Sequence, residues 1–353
     1  MAKAYPNYSE YFDIDSDYFP QVNKEIIDKT PDLWQKYYPH DSFVKLLEAA
    51  IRVLSRSDKR ALWIEGAYGT GKSHAVLTLK KLIDAEDDAV RAYFERHRDL
   101  LNADLYQKFV SMRPQGGKIL TVHRYGSSEI LSDDDLNLAI YQSLLGVIES
   151  RPDLRNPQAS FRDGVLKWLE EPDRRIYMNA LLKKYRDKVQ LNGADVDAVE
   201  RMLRSYQGAE LESVLQALMK IGHAEDMKIF KLDREQLLDW IRDLIRQNNI
   251  RILFVWDEFS EFFKNNMRSL TGFQRFADFS GEQPFYILIV THHVQNLFSS
   301  DRDARKIFDR FSKISIELPP HMGFKLIGKA LQKDRAHEVE WTRLREDQRM
   351  NTK

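Results

Sequence analysis

The sequence predicts an α/β fold in which helices cover both faces of a parallel sheet, with a large helical insertion. Two observations indicate this fold. Short apolar runs, typical of buried strands, alternate with helical patterns, as in parallel sheets buried on both faces. In addition, one connection, residues 132 to 248, reads as almost wholly helical and is longer than a crossover between strands requires. The predicted strands are residues 61–64, 119–122, 251–256, 285–290 and 313–318.

The pattern divides the 353 residues into four parts. Residues 41–131 and 249–320 form the predicted sheet core, and residues 132–248 form the helical insertion. Residues 1–40 are rich in aromatic side chains. These either pack on the core of the same chain, or they cover a bound ligand or form a contact with another subunit. Residues 321–353 are the start of a helical lid or a charged tail.

Composition limits the classes of function. Lys+Arg and Asp+Glu number 54 each, so the net charge of zero gives no general attraction to nucleic acid or to an anionic membrane. The absence of cysteine excludes disulfides and thiolate chemistry. The first residues lack the apolar core of a signal peptide, and no apolar run has the length of a membrane span. We therefore expect a cytoplasmic protein with no membrane partner.

The run from Gly66 to Ser73 matches the phosphate-binding pattern G-x-x-x-x-G-K-[ST]. A predicted strand precedes it and a helix-forming stretch follows, which is the setting in which such a loop turns its backbone N–H groups toward an anion. Lys72 would reach the β- and γ-phosphates and Ser73 would ligate Mg²⁺. The alternative is a glycine-rich turn that matches by chance. The predicted ATP-binding residues are Gly66, Ala67, Tyr68, Gly69, Thr70, Gly71, Lys72, Ser73 and His74.

An acidic pair, Asp257-Glu258, directly follows the strand at 251–256. This is the Walker B pattern of phosphate-loop ATPases. Asp257 would organise the Mg²⁺ held by Ser73, and Glu258 would activate the attacking water. Alternatively, the pair could simply cap the helix that follows.

Taken in order, these motifs resemble the AAA+ module, within the additional-strand P-loop NTPases, over residues 40 to 320. The resemblance implies that a polar residue after the strand at 285–290 senses the γ-phosphate. Thr291 is the first candidate and His292 the second. It also implies that the helix before the last strand carries an arginine acting on a neighbouring subunit's nucleotide. Arg310 is the best candidate there, followed by Arg305 and Arg302.

The same resemblance suggests that His123 or Arg124, at the end of the strand at 119–122, restrains Glu258; simple surface exposure is the alternative. Two features depart from the family pattern. The helical insertion is unusually long, and the sequence reaches residue 353 soon after a lid would begin, so no sensor II arginine can be assigned. The aromatic N-terminal segment and the amino-acid sequence of the phosphate loop also resemble those of large ATPases of bacterial anti-phage defence, of BREX or RADAR type.

The resulting prediction is an oligomeric, Mg²⁺-dependent ATPase that couples ATP state to recruitment or remodelling of a protein partner through the helical insertion, in the setting of anti-phage defence. One alternative is a nucleotide-gated switch or scaffold with little turnover. Another is a DNA-acting ATPase or loader. Net charge does not support that alternative, although the clusters Arg174-Arg175 and Lys183-Lys184 leave it open.

Overall fold

A five-stranded parallel sheet forms the centre of the protein. The structure, a computed structural model, describes residues 11–14, 32–56, 61–157, 161–191, 193–230, 232–266, 271–292, 309–317, 327–328, 331–333 and 337–351. The central strands are β2 (Ala61–Glu65), β3 (Lys118–Tyr125), β4 (Ile250–Asp257), β5 (Phe285–Thr291) and β6 (Phe311–Ser315). Their order across the sheet is β3-β4-β5-β2-β6, and every neighbouring pair is parallel. The predicted α/β fold with a parallel sheet is confirmed.

Thirteen α-helices are described. They are α1 (Asp41–Leu54), α2 (Lys72–Asp84), α3 (Asp87–Arg96), α4 (Ala103–Met112), α5 (Asp133–Glu149), α6 (Phe161–Leu169), α7 (Pro172–Lys184), α8 (Val196–Ser205), α9 (Gly208–Ala224), α10 (Arg234–Asn248), α11 (Ser260–Asn266), α12 (Thr271–Glu282) and α13 (Glu338–Asn351). Among these described helices, none combines the length and the apolar character needed to cross a lipid bilayer.

Each apolar strand supplies both faces of the sheet because successive side chains point in opposite directions. On β2, Leu62 and Ile64 join a core shared with α1 to α4, whereas Ala61 and Trp63 join a core on the opposite face. This second core also contains buried residues of α5, α10 and α12. The two cores explain why the strands read as continuous apolar runs rather than as alternating ones.

The helical block between β3 and β4 is continuous with the sheet core. Its first and last helices, α5 and α10, contact β3 and β4 respectively, and helices α6 to α9 add further buried side chains to the same core. Side-chain caps set the helix starts: Ser132 accepts a hydrogen bond from the Asp135 N–H, and Asp233 accepts from the N–H groups of Glu235 and Gln236. The block is helical, as predicted, apart from its connecting turns.

The described aromatic side chains of residues 1–40 pack on the chain itself, whereas Tyr5, Tyr8, Tyr18 and Phe19 lie outside the described residues. Trp34 and Tyr37 are buried in the core shared with α1 to α4, as one of the two interpretations predicts. The sequence did not predict a short antiparallel pair, β1 (Phe12–Ile14) with β7 (Leu331–Lys333). Tyr11 and Phe12 beside it contact Trp341 of α13. The strand pair therefore joins the N-terminal part to the charged C-terminal segment.

Candidate functional site

The parallel strands bring their carboxyl ends to one edge of the sheet, and most of the predicted site lies there. β5 lies between β2 and β4. The loop after β2 and the acidic pair after β4 are therefore separated by one strand, although they are distant in the sequence. In open parallel sheets, ligands bind outside this edge.

The predicted phosphate loop is the turn between β2 and α2. Gly69 and Gly71 have φ of 77° and 81°, the left-handed region that favours glycine. Gly66 is needed for a different reason. A Cβ at Gly66 would lie closer than 3.0 Å to the carbonyl oxygen of Ile316, a backbone atom just beyond β6. Two glycines therefore shape the turn, and the third lets the loop pass close to a neighbouring strand end.

Several backbone N–H groups at the start of α2 have no backbone acceptor in the described part of the chain. Within the described residues, the N–H groups from Gly71 to His74 donate no backbone hydrogen bond of ordinary geometry, and the first bond of α2 runs from the Ala75 N–H to the Gly71 carbonyl at 2.9 Å. Ala67, Tyr68, Gly69 and Gly71 are exposed. Free N–H groups at the start of a helix form a site for an anion such as a phosphate.

The Lys72 side chain is folded back over the loop. Its Nζ donates to the Ala67 carbonyl oxygen at 2.8 Å, and the residue is buried. Burial lowers the pKa of Lys72, and the nearby Asp257 and Glu258 carboxylates oppose this shift. The structure thus brings the predicted lysine together with both members of the acidic pair. A phosphate on the loop could replace the Ala67 carbonyl as the partner of Nζ.

Asp257 occupies the last position of β4 and is almost completely buried. Its Oδ1 accepts a hydrogen bond from the Glu258 N–H at 2.9 Å, whereas Oδ2 has no partner of ordinary geometry in the described part of the chain. Burial raises the pKa of Asp257, and the facing Ser73 hydroxyl acts in the opposite direction. A buried carboxylate oxygen without a partner is costly unless a ligand satisfies it.

Asp257 and Ser73 together fit a Mg²⁺ ion. No group of three or more His, Cys, Asp or Glu suited to a metal is found among the described residues. Mg²⁺ does not need such a group, because in nucleotide sites it binds one or two protein side chains and takes its other ligands from water and phosphate. The Asp257 carboxylate, in contact with the Ser73 hydroxyl and near the start of α2, has the chemistry of that kind of site.

Glu258 has an exposed side chain on a constrained backbone. Its φ is 57°, in the left-handed region that a glutamate rarely adopts. Such a conformation costs about 1–3 kcal/mol and persists where surrounding contacts impose it. The turn projects the carboxylate into solvent at the edge of the sheet that also holds Lys72 and Asp257.

The two candidates for the γ-phosphate sensor have different surroundings. Thr291 is buried, and its hydroxyl accepts a hydrogen bond from the Trp63 indole N–H at 2.9 Å. His292 is exposed, and its ring lies 6.0 Å from the ring of Tyr68 in the phosphate loop. The Thr291 hydroxyl therefore serves the contact between β5 and β2, whereas His292 lies beside the loop.

Arg310 lies away from this cluster. It precedes β6 at the amino edge of the sheet, and its Nε pairs with the Asp278 carboxylate of α12. The five residues of β6 rise about 3.3 Å each, so Arg310 is roughly 15 Å from the phosphate loop along the strand. An arginine there could not reach a nucleotide bound to its own chain. The other two candidates for the arginine that acts on a neighbouring nucleotide, Arg305 and Arg302, lie outside the described residues.

His123 and Arg124 are half-buried rather than surface-exposed. The Arg124 guanidinium pairs with Glu129 at 2.7 Å and with Glu212 of α9 at 3.4 Å, and it lies 5.6 Å from the centre of the Trp256 ring. These contacts place Arg124 between the helical block and the end of β4. The alternative of simple surface exposure is therefore wrong for Arg124.

His74, the last of the predicted ATP-binding residues, faces the N-terminal aromatic part. The Tyr37 ring packs edge-on against it at 4.7 Å, and the Tyr37 hydroxyl lies 3.0 Å from His40 Nε2. Burial lowers the pKa of His74 to about 4, so its ring is neutral near pH 7. Its Nε2 has no partner within the described residues.

Sequence reasoning missed the loop that follows β3. The Gly126 N–H donates to the Asp257 carbonyl at 2.9 Å, and the buried Ser127 hydroxyl donates to the Glu258 carbonyl at 3.1 Å. The available signal was weak: a Gly-Ser-Ser sequence directly after a strand, at the edge where parallel sheets bind ligands.

Comparisons with known proteins do not assign the chain. No protein-family model matches it. A search of curated proteins also found no match.

Proposed function

We propose that this chain is a Mg²⁺-dependent ATPase of the P-loop class, with the AAA+-like organisation that the motif order suggests. One observation carries the proposal: the buried Asp257 carboxylate, whose Oδ2 has no partner of ordinary geometry among the described residues, contacts Ser73 at the start of α2, beside the glycine-rich loop. A turn that matched the pattern by chance would have no reason to meet a buried acid from a distant part of the sequence. The position of β5 between β2 and β4 supports the additional-strand type.

Each residue has a distinct role in this proposal. The loop N–H groups and Lys72 bind the phosphates, with Nζ leaving the Ala67 carbonyl as they arrive. Ser73 and Asp257 hold the Mg²⁺, and Glu258 orients a water molecule and accepts its proton. Bound MgATP supplies the phosphoanhydride bond that is cleaved, and the metal neutralises charge on the phosphates.

The surroundings of Thr291 and His292 favour His292 as the side chain that contacts the γ-phosphate or the water. The Thr291 hydroxyl already bonds Trp63, and moving it would leave the buried indole N–H unsatisfied. The His292 ring is exposed and lies next to Tyr68 of the phosphate loop, so it can approach a bound nucleotide without disturbing the contact between β5 and β2. This proposal reverses the order of preference that the sequence suggested.

We further propose that the ATPase is oligomeric, which is what the AAA+ resemblance implies for Arg310. Its place at the amino edge of the sheet suits action on a nucleotide held by a second copy of the chain rather than by its own. An arginine in that role stabilises the charge that develops on the phosphates. The helical block, which reaches Arg124 through Glu212, is the proposed docking element for a protein partner.

Nucleotide binding is tested by Lys72→Ala, with Lys80→Ala as the matched control. Both residues are lysines of α2, but Lys80 pairs with Asp84 on the same helix. Calorimetry with MgATP should show binding to the wild type and to Lys80→Ala, and at least a tenfold loss for Lys72→Ala, of the order expected when one charged bond to phosphate is removed. Equal affinities for all three would refute the phosphate-loop assignment. Binding without any hydrolysis by the wild type would favour the nucleotide-gated switch.

A further inference from the structure

The conformation of the acidic pair after β4 depends on a neighbouring loop. Gly126 and Ser127, which we call the clamp, follow β3, the edge strand beside β4. The clamp lies outside the phosphate loop and contributes nothing to the predicted metal site. The clamp is hydrogen-bonded to residues 256 to 262, chiefly to their backbone, and the Ser127 carbonyl also accepts from the Ile130 N–H at 3.2 Å.

Two donors of the clamp hold the two carbonyls of the acidic pair. The Gly126 N–H donates to the Asp257 carbonyl at 2.9 Å. The Ser127 hydroxyl donates to the Glu258 carbonyl at 3.1 Å. In return, the Gly126 carbonyl accepts from the Trp256 indole N–H at 2.7 Å. Three successive residues of the β4 end are thus bonded to two residues of the clamp.

Ser127 also fixes the segment that follows Glu258. Its hydroxyl oxygen accepts a hydrogen bond from the Phe262 N–H of α11 at 3.0 Å, so one buried hydroxyl joins both sides of the turn. On the other side, the Phe259 N–H donates to the Val290 carbonyl of β5 at 2.9 Å. The Glu258 backbone is therefore held in its left-handed conformation between the two strands that flank β4.

We infer that Ser127 is a positioning residue for Glu258, holding the backbone turn that aims the carboxylate. The catalytic consequence of this inference rests on the proposed ATPase function, whereas the hydrogen bonds of Ser127 do not depend on it. A left-handed glutamate relaxes when the bonds that impose it are removed. Relaxation would turn the side chain away from the edge that holds Lys72 and Asp257, while the phosphate loop would stay as it is.

The test is Ser127→Ala, with Ser128→Ala as the matched control. Ser128 is the next residue of the same loop, but it is exposed and its hydroxyl bonds Glu129. For an active wild type, Ser127→Ala should lower kcat by roughly 10- to 100-fold, the scale of a misplaced catalytic group, and change KM for MgATP less than about threefold. Ser128→Ala should leave both near the wild-type values.

Amide hydrogen exchange without nucleotide supplies a second readout that does not depend on activity. Ser127→Ala should speed exchange at Phe262 and its neighbours at least several-fold, because the Phe262 N–H loses its acceptor, and Ser128→Ala should not. If Ser127→Ala fails to fold, Gly126→Ala serves instead, since a side chain at its φ of 76° strains the same turn.

The outcomes separate the two proposals. Unchanged exchange in Ser127→Ala would overturn the clamp whatever the activity. Faster exchange with an unchanged kcat would overturn the positioning role. Faster exchange in a protein whose wild type hydrolyses no nucleotide would support the contact and reject the ATPase.

Discussion

Replacing Gly66 by alanine tests why the phosphate loop begins with glycine. A Cβ at this position would fall closer than 3.0 Å to the Ile316 carbonyl oxygen, and it would also crowd the Thr70 hydroxyl and the Lys72 side chain. The nearest atom belongs to the backbone, so it cannot swing away as a flexible side chain would. The loop or the end of β6 must move instead.

The size of the effect follows from the two contacts that are disturbed. Forcing an extra carbon into a packed site costs about 1–3 kcal/mol. Moving the strand end also strains the hydrogen bond from the Ile316 N–H to the Glu65 carbonyl, which measures 2.8 Å and contributes about 0.5–1.5 kcal/mol. We therefore expect Gly66→Ala to lower the free energy of unfolding by about 2–4 kcal/mol.

Urea unfolding followed by circular dichroism measures this change, with Gly146→Ala as the control. Gly146 is an exposed position of α5, and a methyl group added there would meet no neighbouring atom within 4 Å, so alanine should stabilise the protein by about 0.5–1 kcal/mol. Substitution of glycine by alanine is thus expected to lower the free energy of unfolding at position 66 and to raise it at position 146. A Gly66→Ala protein as stable as the wild type, with MgATP affinity intact, would refute the close approach of the loop to Ile316.

Three further predictions concern the sensor, the arginine and the helical block. Thr291→Val should lower the free energy of unfolding in urea by about 1–3 kcal/mol, because the Trp63 indole N–H loses its acceptor. His292→Ala should chiefly lower kcat. A loss of kcat in Thr291→Val and a loss of stability in His292→Ala would contradict the proposed roles. Arg310→Ala should lose ATP turnover but regain it when mixed with Glu258→Gln, because in mixed assemblies some sites combine the intact arginine of one chain with the intact glutamate of the other. If assemblies shown to contain both chains recover no turnover, Arg310 does not act across subunits. Burial raises the pKa of Glu212, so the folded state holds the Glu212 proton to higher pH than the unfolded state does. The stability of the wild type relative to Glu212→Gln should therefore fall as pH rises above the ordinary glutamate pKa of 4.5. A stability difference independent of pH would show that the pKa is unshifted.

The environment of Glu212 explains why its pKa moves. Burial is the largest cause, and the Glu129 and Asp135 carboxylates raise the pKa further, while Arg124 lowers it. The Gln142 amide also lies against this carboxylate. Comparing the two proteins at each pH isolates Glu212, because the other titrating groups contribute to both.

The strands, and the closeness of Lys72 to Asp257, were predictable because their signals are local. The predicted run at 251–256 is one residue shorter than β4 at each end, and the run at 285–290 is one residue shorter than β5 at its carboxyl end. The last strand is displaced: the structure has Phe311–Ser315 where the sequence suggested 313–318, because Phe311 pairs with Ala61 and enters the core. Lys72 and Asp257 could be placed together because both follow strands whose carboxyl ends share an edge.

Contacts that depend on the register between distant segments could not be read from the sequence. The bond between Trp63 and Thr291 requires that β2 and β5 be neighbours with a known alignment. Ser127 is separated from Glu258 by the whole helical block, and a serine after a strand carries no signal of its partner. The pairing of Arg124 with Glu212 likewise depends on how α9 packs against the end of β3.

The most direct test of the central claim follows the fate of ATP in Glu258→Gln. The substitution keeps the shape of the side chain but removes its ability to accept a proton. In a single-turnover experiment with radiolabelled ATP and Mg²⁺, the wild type should release ADP and phosphate. Glu258→Gln should retain intact ATP through gel filtration, with hydrolysis slowed at least about 100-fold. Hydrolysis at the wild-type rate by Glu258→Gln, or no binding of ATP by either protein, would contradict the proposed function.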